Sequence, residues 1–354
     1  MLLNRCFAAT LLISVSLIAA ESGPHTGLVV HEWGTFTSVA DTNGNAAEWL
    51  PLGGSSDLPS FVFHFRNPGF KAGLRGTVRM ETPVLYFYTA QEADISVKVE
   101  FPHGVITEWY PAANVAPMTT GLDDSGSKGR IAWPAVKLLP EASGGLPVDN
   151  RSSHYYAARS TGSAGVQVSS GDEVQHEKFL FYRGVASFQP PLSAQLVGHR
   201  VVVKNRIPDP PGAVILFENR GGHIGYRVAA GSESTLERPE LNADIRSLQQ
   251  DLLGALIAGG LFPDEANAMI ETWGDSWFEE GARLIYILPR AAVDAILPLA
   301  IDPSPAKIER VFVGRMEIVT PEIKNAVAEA VRANDRVTLA KYGRFLEPIL
   351  RGLH

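Results

Sequence analysis

The sequence predicts a mainly β protein, an antiparallel β-sandwich with a C-terminal α+β element, and three observations predict it. Upstream of about residue 235 apolar residues recur with period two or in short unbroken runs. Gly, Pro and Asn-Gly punctuation separates those runs. Beyond residue 235 the apolar period lengthens to that of an amphipathic helix.

The first residues read as a secretory signal peptide over 1–20. Arg5 supplies the basic end, Ala8–Ile18 run nearly unbroken as apolar, and the small residues Ala19 and Ala20 close the segment. The apolar stretch Phe7–Ala20 is shorter than the ~20 residues a membrane-spanning helix needs, and Cys6 lies before it rather than at the cleavage point. The chain therefore reads as exported, to the periplasm or the extracellular medium, with no integral membrane segment after cleavage. Cys6 is the one cysteine, so the mature chain would hold no disulfide and no thiolate. The formal charge is −7, and loss of Arg5 alone takes it to −8. Without a basic surface or a Lys/Arg run, a nucleic-acid partner is disfavoured.

The β region is expected over 25–235, as one large sandwich or as two units near 25–135 and 150–235. Ile95, Val97, Val99 and Phe101 alternate with Ser96, Lys98 and Glu100, the pattern of a strand with one buried face. Phe179 and Phe181 alternate less cleanly, while Val84–Tyr88 and Val201–Val203 read as strands buried on both faces. Asn43-Gly44 suits a tight hairpin turn, and Ala213–Phe217 and Ile224–Ala229 flank the Gly-rich connection at 219–222. Glu81–Tyr88 and Glu177–Tyr182 look alike, which is the ground for the two-sandwich alternative. The segments Thr119–Arg130 and Glu141–Asn150 read as loops.

The C-terminal region, 236–354, is expected to be α+β. Leu241, Ile245, Leu248, Leu252 and Leu256 form a helical stripe that Gly259-Gly260 stops. Pro263, Asp264 and Glu265 open a second helix carrying Met269, Trp273 and Trp277 on one face. Strands at Leu284–Leu288 and Ile308–Val313 enclose a short helix over Ala291–Leu297. Thr320-Pro321-Glu322 caps a last helical stretch broken near Asn334.

The strings HEWGTFTSVA at 31–40, METPVLYFY at 80–88, TEWYP at 107–111 and LFPDEANAMIETW at 261–273 resemble a family of exported bacterial proteins of uncharacterised function. The resemblance covers most of the mature chain. It implies a bacterial exported context and brings no activity, cofactor or catalytic residue with it.

Motif by motif, named chemistries fail on spacing. His31-Glu32 opens like the zincin HExxH, but Thr35 stands where the second imidazole belongs. A looser divalent-metal site is the alternative, with His31, Glu32, His103 and His176 as ligands and Glu81 or Glu108 as general base on a metal-bound water. Isolated polar groups on strands are the competing reading of the same residues. Asp41–Asn45 departs from a calcium loop in its glycine and glutamate positions. Gly274-Asp275-Ser276 imitates a hydrolase motif but lies inside an expected helix, and both S-x-x-K strings, at Ser125 and Ser304, lack their companions. Glu271, Asp275 and Glu279, one turn apart, read as a solvated face.

The aromatic load of the β region, Trp33, Trp49, Trp109, Tyr110, Trp133, Tyr155 and Tyr156, suits either stacking on a sugar or peptide or the interior of a sheet. Two functions follow: a non-catalytic exported module binding an envelope or extracellular glycan or protein, or a metal-dependent hydrolase acting on such material.

Overall fold

A computed structural model describes residues 27–53, 57–65, 73–116, 128–141, 145–150, 152–230 and 234–352. The leader, Cys6, most of Thr119–Arg130 and the Ser125 motif lie outside the described residues. The strands in chain order are β1 (Val29–Val39), β2 (Phe63–His64), β3 (Val78–Tyr88), β4 (Ala93–Phe101), β5 (Gly104–Tyr110), β6 (Asn114–Ala116), β7 (Gly129–Leu139), β8 (Gly165–Ser170), β9 (Glu173–Glu177) and β10 (Leu180–Ala186). They continue with β11 (Leu192–Val197), β12 (Arg200–Asn205), β13 (Ala213–Arg220), β14 (His223–Ala230), β15 (Ser234–Glu237), β16 (Gly281–Ile287), β17 (Leu299–Asp302) and β18 (Lys307–Ile318). The helices are α1 (Ile245–Ala258), α2 (Pro263–Trp277), α3 (Arg290–Ile296), α4 (Pro321–Ala333), α5 (Arg336–Lys341) and α6 (Leu346–Arg351).

Three sheets form. The largest has nine strands in the order β14-β13-β16-β18-β1-β3-β10-β5-β2, and the others are β11-β12-β15 and β17-β4-β7-β8-β9, with β6 added against β7. All pairings are antiparallel except β1 with β18, which run parallel over their full lengths. One face of the large sheet, carrying Val30, Phe36, Met80, Leu85 and Phe87, packs against both smaller sheets through Val97, Val99, Ile131, Leu138, Val201 and Val203. This is a β-sandwich, and removing that much aliphatic surface from water at about 25 cal/mol per Å² drives it.

The other face is covered by helices. Leu248, Leu252 and Leu256 of α1 and Met269, Trp273 and Trp277 of α2 pack on Trp33, Val84, Tyr86, Ile285 and Val313. At the opposite end of the same face, Val327, Tyr342, Phe345 and Ile349 close over Val39 and Trp49. The helix signals in the sequence act as expected: Pro263 opens α2, the Thr320 hydroxyl accepts from the Ile323 amide, and Asn334 takes a left-handed conformation at φ 53° to end α4.

The C-terminal region shares the large sheet, because β16 and β18 enter it between β13 and β1. Other expectations are corrected. Glu81–Tyr88 and Glu177–Tyr182 do not mark two tandem sandwiches; the first lies within β3 and the second runs from the end of β9 into β10, and β3 and β10 are adjacent strands of one sheet, with Leu85 opposite Leu180. Val202 is half-buried, since β12 is covered on one side alone. The 219–222 connection is tighter than its length suggested: β13 and β14 extend inward until only Gly221 and Gly222 turn the chain, at φ 60° and 83°. Asn43-Gly44 turns with help from Asp41, whose carboxylate accepts the amides of Asn43 and Asn45 at 2.8 and 2.9 Å.

Candidate functional site

The helical face of the large sheet is not apolar throughout. Between its two helix packs runs a row of charged and hydroxyl side chains that crosses six strands. Register places them on one face: Arg283 of β16 opposite Glu317 of β18, Arg315 of β18 opposite Thr37 of β1, Thr35 opposite Glu81 of β3, and Arg183 of β10 opposite Glu108 of β5. Glu81, Arg283, Arg315 and Thr35 are fully buried. Buried charge on this scale is tolerated only when each group is paired.

The pairing is extensive. Arg183 spans both oxygens of Asp57 at 2.7 and 3.0 Å and also reaches the Thr82 hydroxyl at 2.9 and 3.1 Å. Arg315 donates to Glu317 at 2.7 Å, to Glu279 at 2.6 Å and to the Ser276 hydroxyl at 2.7 Å. Glu81 is the hub. It accepts from Arg344 and from the Thr37 hydroxyl at 3.0 Å, and Arg79 lies at 3.4 Å. Burial alone would raise the Glu81 carboxyl, but Arg344, Arg79, Arg315 and Arg183 overcome it and hold the group below its ordinary value. Burial likewise pushes the Arg79 guanidinium down, helped by Arg344 and Arg183 and opposed by Glu81.

The backbone bends to build this row. Pairing slips between Trp33 and Thr35 on β1, between Phe181 and Gly184 where β10 meets β3, and between Arg183 and Gly184 where β10 meets β5. These irregularities lie side by side on adjacent strands, and bulges of this kind re-aim side chains next to functional sites. Thr82, in the middle of β3, sits at φ 46°, an outlier for a β-branched residue. Pro83 follows it in a central strand, a placement compatible with a bulge and little else. Gly184 allows the close approach, because a Cβ there would lie 2.5 Å from the Val105 carbonyl oxygen.

The row reaches solvent in a cleft of about 310 Å³ where the two helix packs part. Arg79 rises from β3, Trp273, Asp275, Ser276 and Glu279 come from α2 and the turn after it, and Arg344 comes from the 3-10 turn Gly343–Phe345. Asp57 and His154 complete the wall. The rim and the base differ in chemistry. Asp275 and His154, 3.0 Å apart, are 64% and 42% exposed, whereas Arg79 and Arg344 are 13% and 16% exposed.

The residues read from the sequence as a metal site disperse. His31 and Glu32 point to opposite faces of β1. His31 Nδ1 meets Glu265 Oε2 at 2.7 Å beneath α2, stacked on Phe262, while Glu32 accepts from Arg310 and Tyr182 at 2.5 Å on the other side. His103 is an exposed turn residue between β4 and β5, and His176 sits on β9 in a different sheet. Among the described residues no cluster of three or more His, Cys, Asp or Glu could hold a metal. Alternation in β1 alone separates the adjacent pair.

Glu81 and Glu108 do fall in one neighbourhood, both acting on Arg183, and each is already engaged by neighbours. A carboxylate clamped by guanidiniums gives up affinity for protons, and the Thr107 hydroxyl holds Glu108 Oε2 at 2.5 Å. Of the two readings of the aromatics, the sheet interior holds for six: Trp33, Trp49 and Trp133 are fully buried, Trp109, Tyr110 and Tyr155 are buried core residues, and Tyr156 is half-buried. Glu279 lies beyond the end of α2 and pairs with Arg315, so the acidic run on that helix is only partly a solvated face.

The sequence reading did not single out Arg79, Arg183, Arg315 or Arg344, and it dismissed Ser276. One signal was available for Arg183 and Arg315: LFYRGVA and the segment VFVGRMEI of β18 are buried throughout and yet carry an arginine, where a cation survives only with partners; no comparable run marks Arg79 or Arg344. Comparison with protein-family models and with curated proteins finds no match to this chain.

Proposed function

We propose that this chain is an exported, non-catalytic module that binds an envelope or extracellular glycan or protein, and that the arginine-based cleft is its recognition site. One observation carries the reading: a charged row crossing six strands, shielded elsewhere by helices, opens to solvent at this cleft. Polar groups fixed by a rigid sheet and by each other are suited to recognition, because little ordering is left to be lost on binding.

Binding rather than turnover is favoured by the state of the cleft's hydroxyl. Ser276 Oγ accepts from Arg315 at 2.7 Å and from Arg344 at 3.4 Å, whereas a nucleophilic serine needs a base as its partner. Export rests on the leader at 1–20 and on the family resemblance.

The test is a panel of envelope glycans and exported proteins screened against the immobilised chain, with Asp275→Trp as the comparison. Asp275 is exposed at the rim, so the indole fills the mouth without entering the core. Binding that disappears in the variant supports the proposal. Binding that persists there, or a release of product by the unmodified chain, overturns it.

A further inference from the structure

We infer that the base of the cleft is a binding site for one anionic group, a carboxylate or a phosphate, carried on a polar body no larger than a monosaccharide or an amino acid. The inference rests on the cleft being the recognition site and adds what that site takes.

It follows from counting donors and acceptors at the base. Arg79 and Arg344 both turn to Glu81, whose oxygens already accept from Thr37 and from Arg344 twice over. Arg79 spends one further N–H on the Pro51 carbonyl at 2.9 Å, and Arg344 one on Ser276. Each guanidinium has five N–H donors, so both keep donors unused among the described residues. Trp273 lines the same cleft, and its buried indole N–H has no acceptor among the described residues.

Of the nearby acids, Asp57 and Glu108 act on Arg79 through charge and make their hydrogen bonds to other groups. Asp57 is committed to Arg183, Glu279 to Arg315, and Glu317 to Arg315 and Arg283. Glu108, the next carboxylate, takes the Thr107 hydroxyl and acts on Arg79 and Arg183 together. The row as a whole therefore balances its charges, but at the solvent-facing base donors outnumber acceptors. A ligand made only of acceptors, with a charge to offset the crowding of Arg79 by Arg344 and Arg183, answers that imbalance. Arg344 faces Glu81 with both terminal nitrogens, so the remaining guanidinium N–H donors of Arg79 and Arg344 converge singly on the oxygens of a carboxylate or phosphate.

Size sets the body of the ligand. About 310 Å³ is at the small end of ligand sites, enough for one sugar ring or amino acid and too small for a polymer chain to thread. The exposed Asp275 and His154 at the rim meet hydroxyl or amino groups on the outward side. A polymer would thus be read by a terminal or pendant acidic unit.

Titration calorimetry on the full chain at fixed ionic strength tests this, with inorganic phosphate, glucuronate and uncharged glucose as probes, and an acidic polysaccharide as a fourth. Saturable binding of phosphate or glucuronate but not glucose is expected, weakened tenfold or more by Arg79→Gln and by Arg344→Gln. Arg75→Gln, on the exposed surface beside Glu48 and Glu347, should bind as the parent does. Because Arg344→Gln also disturbs a buried pair, the double variant Arg344→Gln, Glu81→Gln keeps the charge balance and should still lose binding.

If the polysaccharide binds and the free anions do not, loss of that binding in Arg344→Gln supports a polymer-borne group. Polysaccharide binding unaffected by Arg344→Gln refutes the anion site while leaving the binding-module reading standing. No binding of any probe, together with an empty glycan and protein panel, removes both.

Discussion

Glu81→Gln removes one charge from the centre of the row and almost nothing from its shape. Glu81 is fully buried and answers Arg344 through both oxygens and Arg79 at 3.4 Å, with Arg315 and Arg183 close enough to lower its proton affinity. Glutamine keeps an acceptor for one donor but turns an amide NH₂ toward a guanidinium. Breaking a buried pair by removing one partner costs about 3–5 kcal/mol, because the other charge is left in a medium that cannot solvate it. With an unfolding entropy of about 2.1 cal/mol/K per residue, a folded body of roughly 300 residues loses about 5–8 °C in Tm for that amount. Differential scanning calorimetry of the parent, Glu81→Gln, Arg344→Gln and the double variant closes the cycle. The double variant should be more stable than the sum of the singles predicts, by about 1–3 kcal/mol. A Glu81→Gln protein that melts within about 1 °C of the parent, or four strictly additive values, would refute the assignment of Glu81 as hub.

The acid response follows from the same groups. Glu81 and Glu317 are both held below the ordinary value of 4.5, burial being overcome by Arg344 and Arg79 in the first case and by Arg283 and Arg315 in the second. The folded state thus binds their protons more weakly than the unfolded one, so their contribution is complete above that value and fades as pH falls through the folded-state values. Tm measured from pH 7 to 3 should stay level and then drop, and Glu81→Gln should drop less steeply; a loss beginning near neutral pH would contradict this. At Thr82, glycine relieves a positive φ that alanine does not, so Thr82→Gly should be more stable than Thr82→Ala by about 1 kcal/mol in urea unfolding. Gly184→Ala sets a methyl 2.5 Å from a backbone oxygen, and a cost of about 1–3 kcal/mol is expected, with an unchanged midpoint denying that the bulge is rigid. At the left-handed end of α4, Asn334→Gly should be neutral or slightly stabilising and Asn334→Ala should lose about 1 kcal/mol.

Much of the architecture was legible in the chain itself. Period-two runs such as 95–101 became β4 with its alternate residues buried, and Pro263, Thr320 and Asn334 marked helix ends where the helices do start and stop. These signals are local: they depend on dihedral preference, capping bonds and the period of apolar residues, each written within a few positions.

The candidate site was not legible in that way. Thr37 and Arg315 are 278 residues apart in the chain and become neighbours only because β18 returns to lie parallel to β1. Arg344 reaches Glu81 across 263 positions, and His31 and Glu32, adjacent in the chain, end on opposite sides of a sheet. Composition and periodicity determined that there would be sheets, helices and a core to join them. Which charges meet was decided by strand order and bulge position, because a buried charge takes whatever partner the fold carries to it, and strand order belongs to the whole chain rather than to any segment of it.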